Sequence, residues 1–109
     1  MNTAHQFPIG AASLDEIVLA FPVHNGSIVG LDADLGFHMY GSEVCLAARD
    51  DKQAAVIIDA PCLHNSESGY QLDHTFVESA QRFARMRGGE FPYASTCVEF
   101  KANGQIAYW

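Results

Sequence analysis

Residues 73–89, DHTFVESAQRFARMRGG, constrain the fold more than any other stretch, because their apolar side chains can be buried together in only one way. Phe76, Ala80, Phe83 and Ala84 recur at the spacing that lines one face of an α-helix, with Val77 beside them. Asp73 or Thr75 can cap the start, Thr75 having Glu78 three residues on. Arg82, Arg85 and Arg87 fill the last turns, where the helix dipole favours cations, and Gly88 suits the position just past the end. A helix with one apolar face needs a second layer to lie on. The spacing predicts one main helix, about 73–87, packed on a sheet.

The strongest source of strands is the stretch 95–109, STCVEFKANGQIAYW, read as a hairpin about Asn103-Gly104, a pair suited to the positive φ angles of a two-residue turn. That turn pairs Phe100 with Ala107 and Val98 with Trp109 on a core face, so that Trp109 closes the core. Glu99, Lys101, Ile106 and Tyr108 then form the opposite face and are the candidate partner-binding residues. Upstream, 37–49 (FHMYGSEVCLAAR) and 54–60 (AAVIIDA) flank the polar DDKQ and read as a second hairpin, with Val44, Leu46 and Ala48 alternating along the first arm. The run AVII is apolar throughout, as in an inner strand covered on both sides. Residues 13–23 fit either a capped helical turn or a strand leading to a turn at Asn25-Gly26. Residues 1–12 read as a flexible N-terminal arm, and 13–109 as a single α+β domain with an antiparallel sheet of about five or six strands.

A chain of 109 residues can bury a core large enough to fold without disulfides or metal. Its three cysteines, Cys45, Cys62 and Cys97, lack CxxC spacing, which fits a reducing, cytoplasmic compartment. The N-terminal residues lack the pattern of a signal peptide, and no apolar run is long enough to span a bilayer. Thirteen acidic against six basic residues give a net charge of −7, which argues against non-specific binding to nucleic acid or anionic membranes and suits a basic protein partner. Apolar residues reach 49% before nine glycines are counted, and charged residues only 17% against a usual ~25%. That balance predicts apolar surface covered by a partner or by a second copy in a homodimer.

The chemistry-bearing residues gather in 60–74, APCLHNSESGYQLDH. Cys62, His64 and His74 have the donor types of a zinc site, but C-x-H-x9-H matches no strong ligand spacing. The simpler expectation is a loop in which Asp73 caps the helix. Asp32 and Asp34, and likewise His38 and Tyr40, share a face if their segments are strands. No phosphate-binding glycine loop, GxSxG elbow or HExxH helix occurs, and no cofactor is expected. The sequence thus predicts a small acidic protein that acts by binding another macromolecule, of inhibitor, immunity or adaptor type. The alternative is a small-ligand or metal-binding protein, with or without enzymatic activity, built on Cys62, His64 and His74.

Overall fold

The structure is a computed structural model that describes residues 6–14, 18–21, 32–63 and 72–109. Readings that fall on His64, on the Asn25-Gly26 turn and on much of 13–23 lie outside those residues. The described elements are strand β1 (Ile9–Gly10), helix α1 (Tyr40–Asp50), strand β2 (Val56–Ile57), helix α2 (His74–Arg87) and strands β3 (Tyr93–Ala94), β4 (Val98–Phe100) and β5 (Ile106–Tyr108). Single 3-10 turns precede α1, at Ala33–Leu35, and follow α2, at Gly88–Glu90. The fold is α+β, but among the described residues the strands form two antiparallel sheets, β1-β2 and β3-β4-β5, and there are two α-helices. One sheet of five or six strands under one main helix is therefore not what forms.

Helix α2 matches its sequence pattern. Asp73 is the cap, its carboxylate accepting from the Phe76 N–H at 3.0 Å and from the Thr75 hydroxyl at 2.6 Å. Ala80 and Phe83 are fully buried, and Phe76 and Ala84 pack beside them. Ser79, on the same face, donates to the Leu35 carbonyl at 2.6 Å and so fastens the first 3-10 turn to the helix. Gly88 does not stop α2 with a left-handed residue: its backbone stays right-handed and the chain tightens into the 3-10 turn.

The segment read as the first arm of a hairpin is α1. Val44, Leu46 and Ala48 alternate over too few positions to separate a period of 2 from one of 3.6. Met39 and Leu46, seven residues apart and both buried, share the face that meets the core. Glu43, Leu46, Ala47, Ala48 and Arg49 are also good helix formers. The helix starts from Met39, whose left-handed backbone (φ 65°) costs roughly 1–2 kcal/mol and is held by a side chain fixed in the core. Asp32 and Asp34 share no strand face: Asp32 caps the preceding 3-10 turn, accepting from the Asp34 N–H at 2.9 Å. Gly36 ends that turn at φ 73°.

With 40–50 helical, AVII has no adjacent strand from that side. Its Val56–Ile57 pairs instead with Ile9–Gly10, from the segment read as an arm. Neither residue is covered, so β2 is a surface strand and not an inner one. The Tyr93 hydroxyl donates to the Ala12 carbonyl at 2.8 Å and ties the same segment to the body of the fold.

The C-terminal hairpin forms with a register one residue away from the expected one. Val98 faces Tyr108, Glu99 faces Ala107 and Phe100 faces Ile106. The cause is the loop. Asn103 lacks the positive φ that a two-residue turn requires, whereas Gly104 lies at φ 87°. The Lys101 N–H donates to the Gln105 carbonyl at 2.8 Å and the Gly104 N–H to the Lys101 carbonyl at 2.9 Å. This is a three-residue loop with a glycine bulge. Ile106 and Tyr108 consequently share the face of Val98 and Phe100, opposite to Glu99 and Lys101. Trp109 does not close the core: it is 61% exposed, and its indole N–H donates to the Thr96 carbonyl at 2.9 Å.

The core lies between α2, the start of α1 and the three-stranded sheet. Phe83 and Phe100 pack at 5.2 Å between ring centres, Phe91 stacks on Phe100 at 5.0 Å, and Tyr93 lies 5.7 Å from Phe83.

Candidate functional site: the β1-β2 ribbon and the groove beside it

Large apolar side chains concentrate on and around the ribbon. Val56, Ile57 and Phe7 are exposed, Ile58 is 65% exposed and Leu63 97%. The sheet has two strands only, so among the described residues no further strand covers its edges. Flanking the apolar run are Asp50 and Asp51 on one side and Asp59 on the other. Charges so placed keep an edge strand from pairing indiscriminately. They are the sequence signal that distinguishes AVII from an inner strand.

Beside the ribbon runs a groove of about 420 Å³. Small residues line one side, Gly10, Ala11 and Ala12 from β1 and the residues after it, with Ala54 and Ala55 leading into β2. Cys45 and Leu46 of α1 supply buried lining, and Tyr93 closes one wall. Burial pushes the Cys45 thiol up, an effect the Leu14 backbone partly offsets, so the thiol stays protonated near neutrality and is a poor nucleophile. Burial likewise raises the Tyr93 hydroxyl. The groove offers shape and apolar contact rather than an activated group.

At the edge of the groove stand Arg49 and Glu90, the outer end of a chain of alternating charges. Arg87 grips Glu43 through two hydrogen bonds, Nε to Oε2 at 2.8 Å and Nη2 to Oε1 at 2.6 Å. Its Nη1 reaches Asp50 at 2.6 Å, Asp50 meets Arg49 at 2.9 Å, and Arg49 meets Glu90 at 2.7 Å. Glu43 and Asp50 share one face of α1, being seven residues apart. In the inner pair Glu43 is buried, its side chain 8% exposed, and Arg87 is largely covered at 17%. Arg87 is thus more than a helix-end cation. Arg82 also has a task of its own, donating to the Asp34 carbonyl at 3.1 Å.

Hydrogen bonds from Arg87 and Arg49 hold the Asp50 carboxyl below its usual range, and Arg49 does the same for Glu90. In the unfolded chain both groups take up protons at higher pH than in the folded one, so stability rises with pH across that interval. Their contribution is complete above the unfolded values, about pH 4–4.5, and is lost as pH falls through the folded ones. Melting followed by circular dichroism should show a Tm nearly level down to about pH 5 and falling below it. Asp50→Asn should flatten that fall. An equal acid dependence in Asp50→Asn would remove Asp50 from the account.

Of the residues singled out for metal binding, His64 lies outside the described residues. Cys62 is exposed on the segment after β2, and His74 is the exposed first residue of α2. Among the described residues no group of three or more His, Cys, Asp or Glu side chains could hold a metal ion. His38 lies not on a strand but before α1, its Nε2 at 3.1 Å from the Thr75 hydroxyl and 3.8 Å from the Asp73 carboxylate. Because Thr75 donates to Asp73, its oxygen accepts from His38. From there an edge-on row of rings runs through Phe37, His38, Phe76 and Tyr108. Tyr108 and Phe37 are exposed.

No family model matches the chain, and no curated protein or solved structure shows significant similarity to it. Among the described residues no helix is long and apolar enough to cross a membrane.

Proposed function

We propose that this chain acts by binding another macromolecule, a protein with a basic surface, as a small acidic inhibitor, immunity or adaptor protein of the cytoplasm. The observation that carries the reading is the exposed apolar ribbon: Val56, Ile57 and Ile58 are consecutive and all exposed, so both faces of β2 carry apolar side chains of a kind that isolated proteins seldom leave uncovered together. The net charge of −7 favours a cationic partner and speeds encounter with one. None of the three cysteines forms a disulfide, which suits a reducing compartment. Of the hairpin residues Glu99, Lys101, Ile106 and Tyr108, Tyr108 contributes most, because its exposed ring continues the aromatic row to Phe37.

The test is co-purification from native lysate with a tagged chain, its Ile57→Asp/Ile58→Asp variant and its Tyr108→Asp variant. The ribbon variant should lose the proteins that the parent retains, while its Tm moves little, since exposed substitutions usually cost no more than about 0.5 kcal/mol. Retention of the same proteins by both variants would defeat the reading. Light scattering after size exclusion should give the mass of one chain. Twice that mass would make the chain its own partner, as a homodimer.

A further inference from the structure

We infer that the outer edge of β2 takes up an extended segment of a partner protein as an added β-strand, the segment being apolar at alternate positions and flanked by lysine or arginine. This deepens the binding reading above and rests on it. The Ala11 N–H donates to the Ala55 carbonyl at 2.9 Å, Ile9 stands opposite Ile57, and Gly10 stands opposite Val56. Bonded and non-bonded pairs alternate along an antiparallel ladder. Ala55 and Ile57 therefore turn their N–H and C=O groups toward β1, and Val56 turns both of its own to the opposite edge. The Ile58 N–H continues that edge, while its carbonyl accepts from the Ala60 N–H at 3.0 Å. Among the described residues nothing pairs with this edge. A short row of backbone groups beside exposed apolar side chains is what strand addition uses: main-chain bonds give affinity and alternate side chains give selectivity.

Charge selects the occupant. Asp59 stands exposed just after the strand; before it come Asp51, whose carboxylate accepts from the Gln53 side-chain amide at 3.1 Å, and exposed Lys52, while Asp50 is held by Arg49 and Arg87. A second copy would bring its own charge of −7 and a second set of these aspartates to the same edge. A segment with lysine or arginine at its ends meets them favourably instead.

The probe is a synthetic peptide of alternating valine and threonine with lysines at both ends, followed by fluorescence anisotropy and by amide hydrogen exchange of the intact chain. The peptide should bind and slow exchange at Val56 and Ile58. N-methylation of its alternate amides on the bonding edge should abolish binding, and replacing its lysines by glutamate should weaken binding at least roughly tenfold. Val56→Pro should abolish it too, because it removes an outward N–H without touching the bonds to β1. Should that variant not fold, the N-methylated peptide still decides. Strand addition is overturned if the lysine peptide does not bind, if it binds without protecting these amides, or if N-methylation is tolerated. Equal binding of the glutamate peptide would overturn the charge requirement. Protection that grows with protein concentration in the absence of peptide would assign the edge to a second copy. In each case the broader binding reading still stands or falls on the ribbon and Tyr108 variants.

Discussion

Arg87→Met is expected to destabilise the fold by roughly 3–5 kcal/mol, because it leaves the Glu43 carboxylate buried without its partner. Both of that carboxylate's oxygens bond to Arg87, and its side chain is 8% exposed, so little water stands ready to replace the lost guanidinium. Against a total stability of about 5–15 kcal/mol for a domain, this brings the variant close to unfolding at ordinary temperature. The companion Glu43→Leu/Arg87→Met should recover most of the loss, since a packed apolar pair replaces a buried ion pair at little net cost. Urea denaturation checks both: the midpoint should drop in the single variant and return in the double, with the slope unchanged. A single variant within about 1 kcal/mol of the parent would mean that Glu43 finds water at small cost.

Phe100→Ala should cost a similar amount, about 3–5 kcal/mol, for a different reason. Phe100 is fully buried, and the rings of Phe83, Phe91 and Tyr93 all lie around it. These rings are anchored on α2, on β3 and on the segment between them, so they cannot collapse together into the space left behind. Trp109→Ala removes a larger side chain from the same hairpin, yet it should cost far less, since Trp109 is mostly exposed. Thermal melts of the two variants give the contrast directly. A Trp109→Ala loss equal to that of Phe100→Ala would restore Trp109 to the core.

Helix α2 is legible in the sequence because everything that specifies it is local: the cap, the apolar spacing and the terminal arginines lie within a few residues of one another. The hairpin at Asn103-Gly104 is legible as a hairpin, but its register depends on whether the loop holds two residues or three. That depends on the sign of φ at Asn103, which the dipeptide alone does not fix. Segments 37–49 and 54–60 were open to misreading for a shared reason. Short apolar runs satisfy more than one period, and what decides between them is a distant partner. Residues 40–50 become a helix where Met39 and Leu46 reach the core of α2 and the sheet, and AVII becomes a surface strand because its mate comes from residues 9–11. The pairing of Glu43 with Arg87 spans 44 positions and has no local signature at all. The candidate site was half visible: the surplus of apolar residues announced an uncovered surface, and only the topology located it on the ribbon.

The chain of charges from Glu43 to Glu90 runs from the interior to the surface, so dissolved ions do not reach its members equally. At about 0.15 M salt the screening length is near 8 Å, and it shortens to about 3 Å at 1 M. Arg49 and Glu90 lie where mobile ions gather, and their attraction fades along that series. Glu43 is buried and Arg87 largely covered, so this pair keeps more of its attraction. Concentrated sodium chloride should therefore erase the effect of Glu90→Gln on Tm while leaving that of Arg87→Met nearly intact. One continuous row of side chains thus behaves as a fixed fastening between the two helices at its inner end and as an adjustable, salt-tuned contact at its outer one.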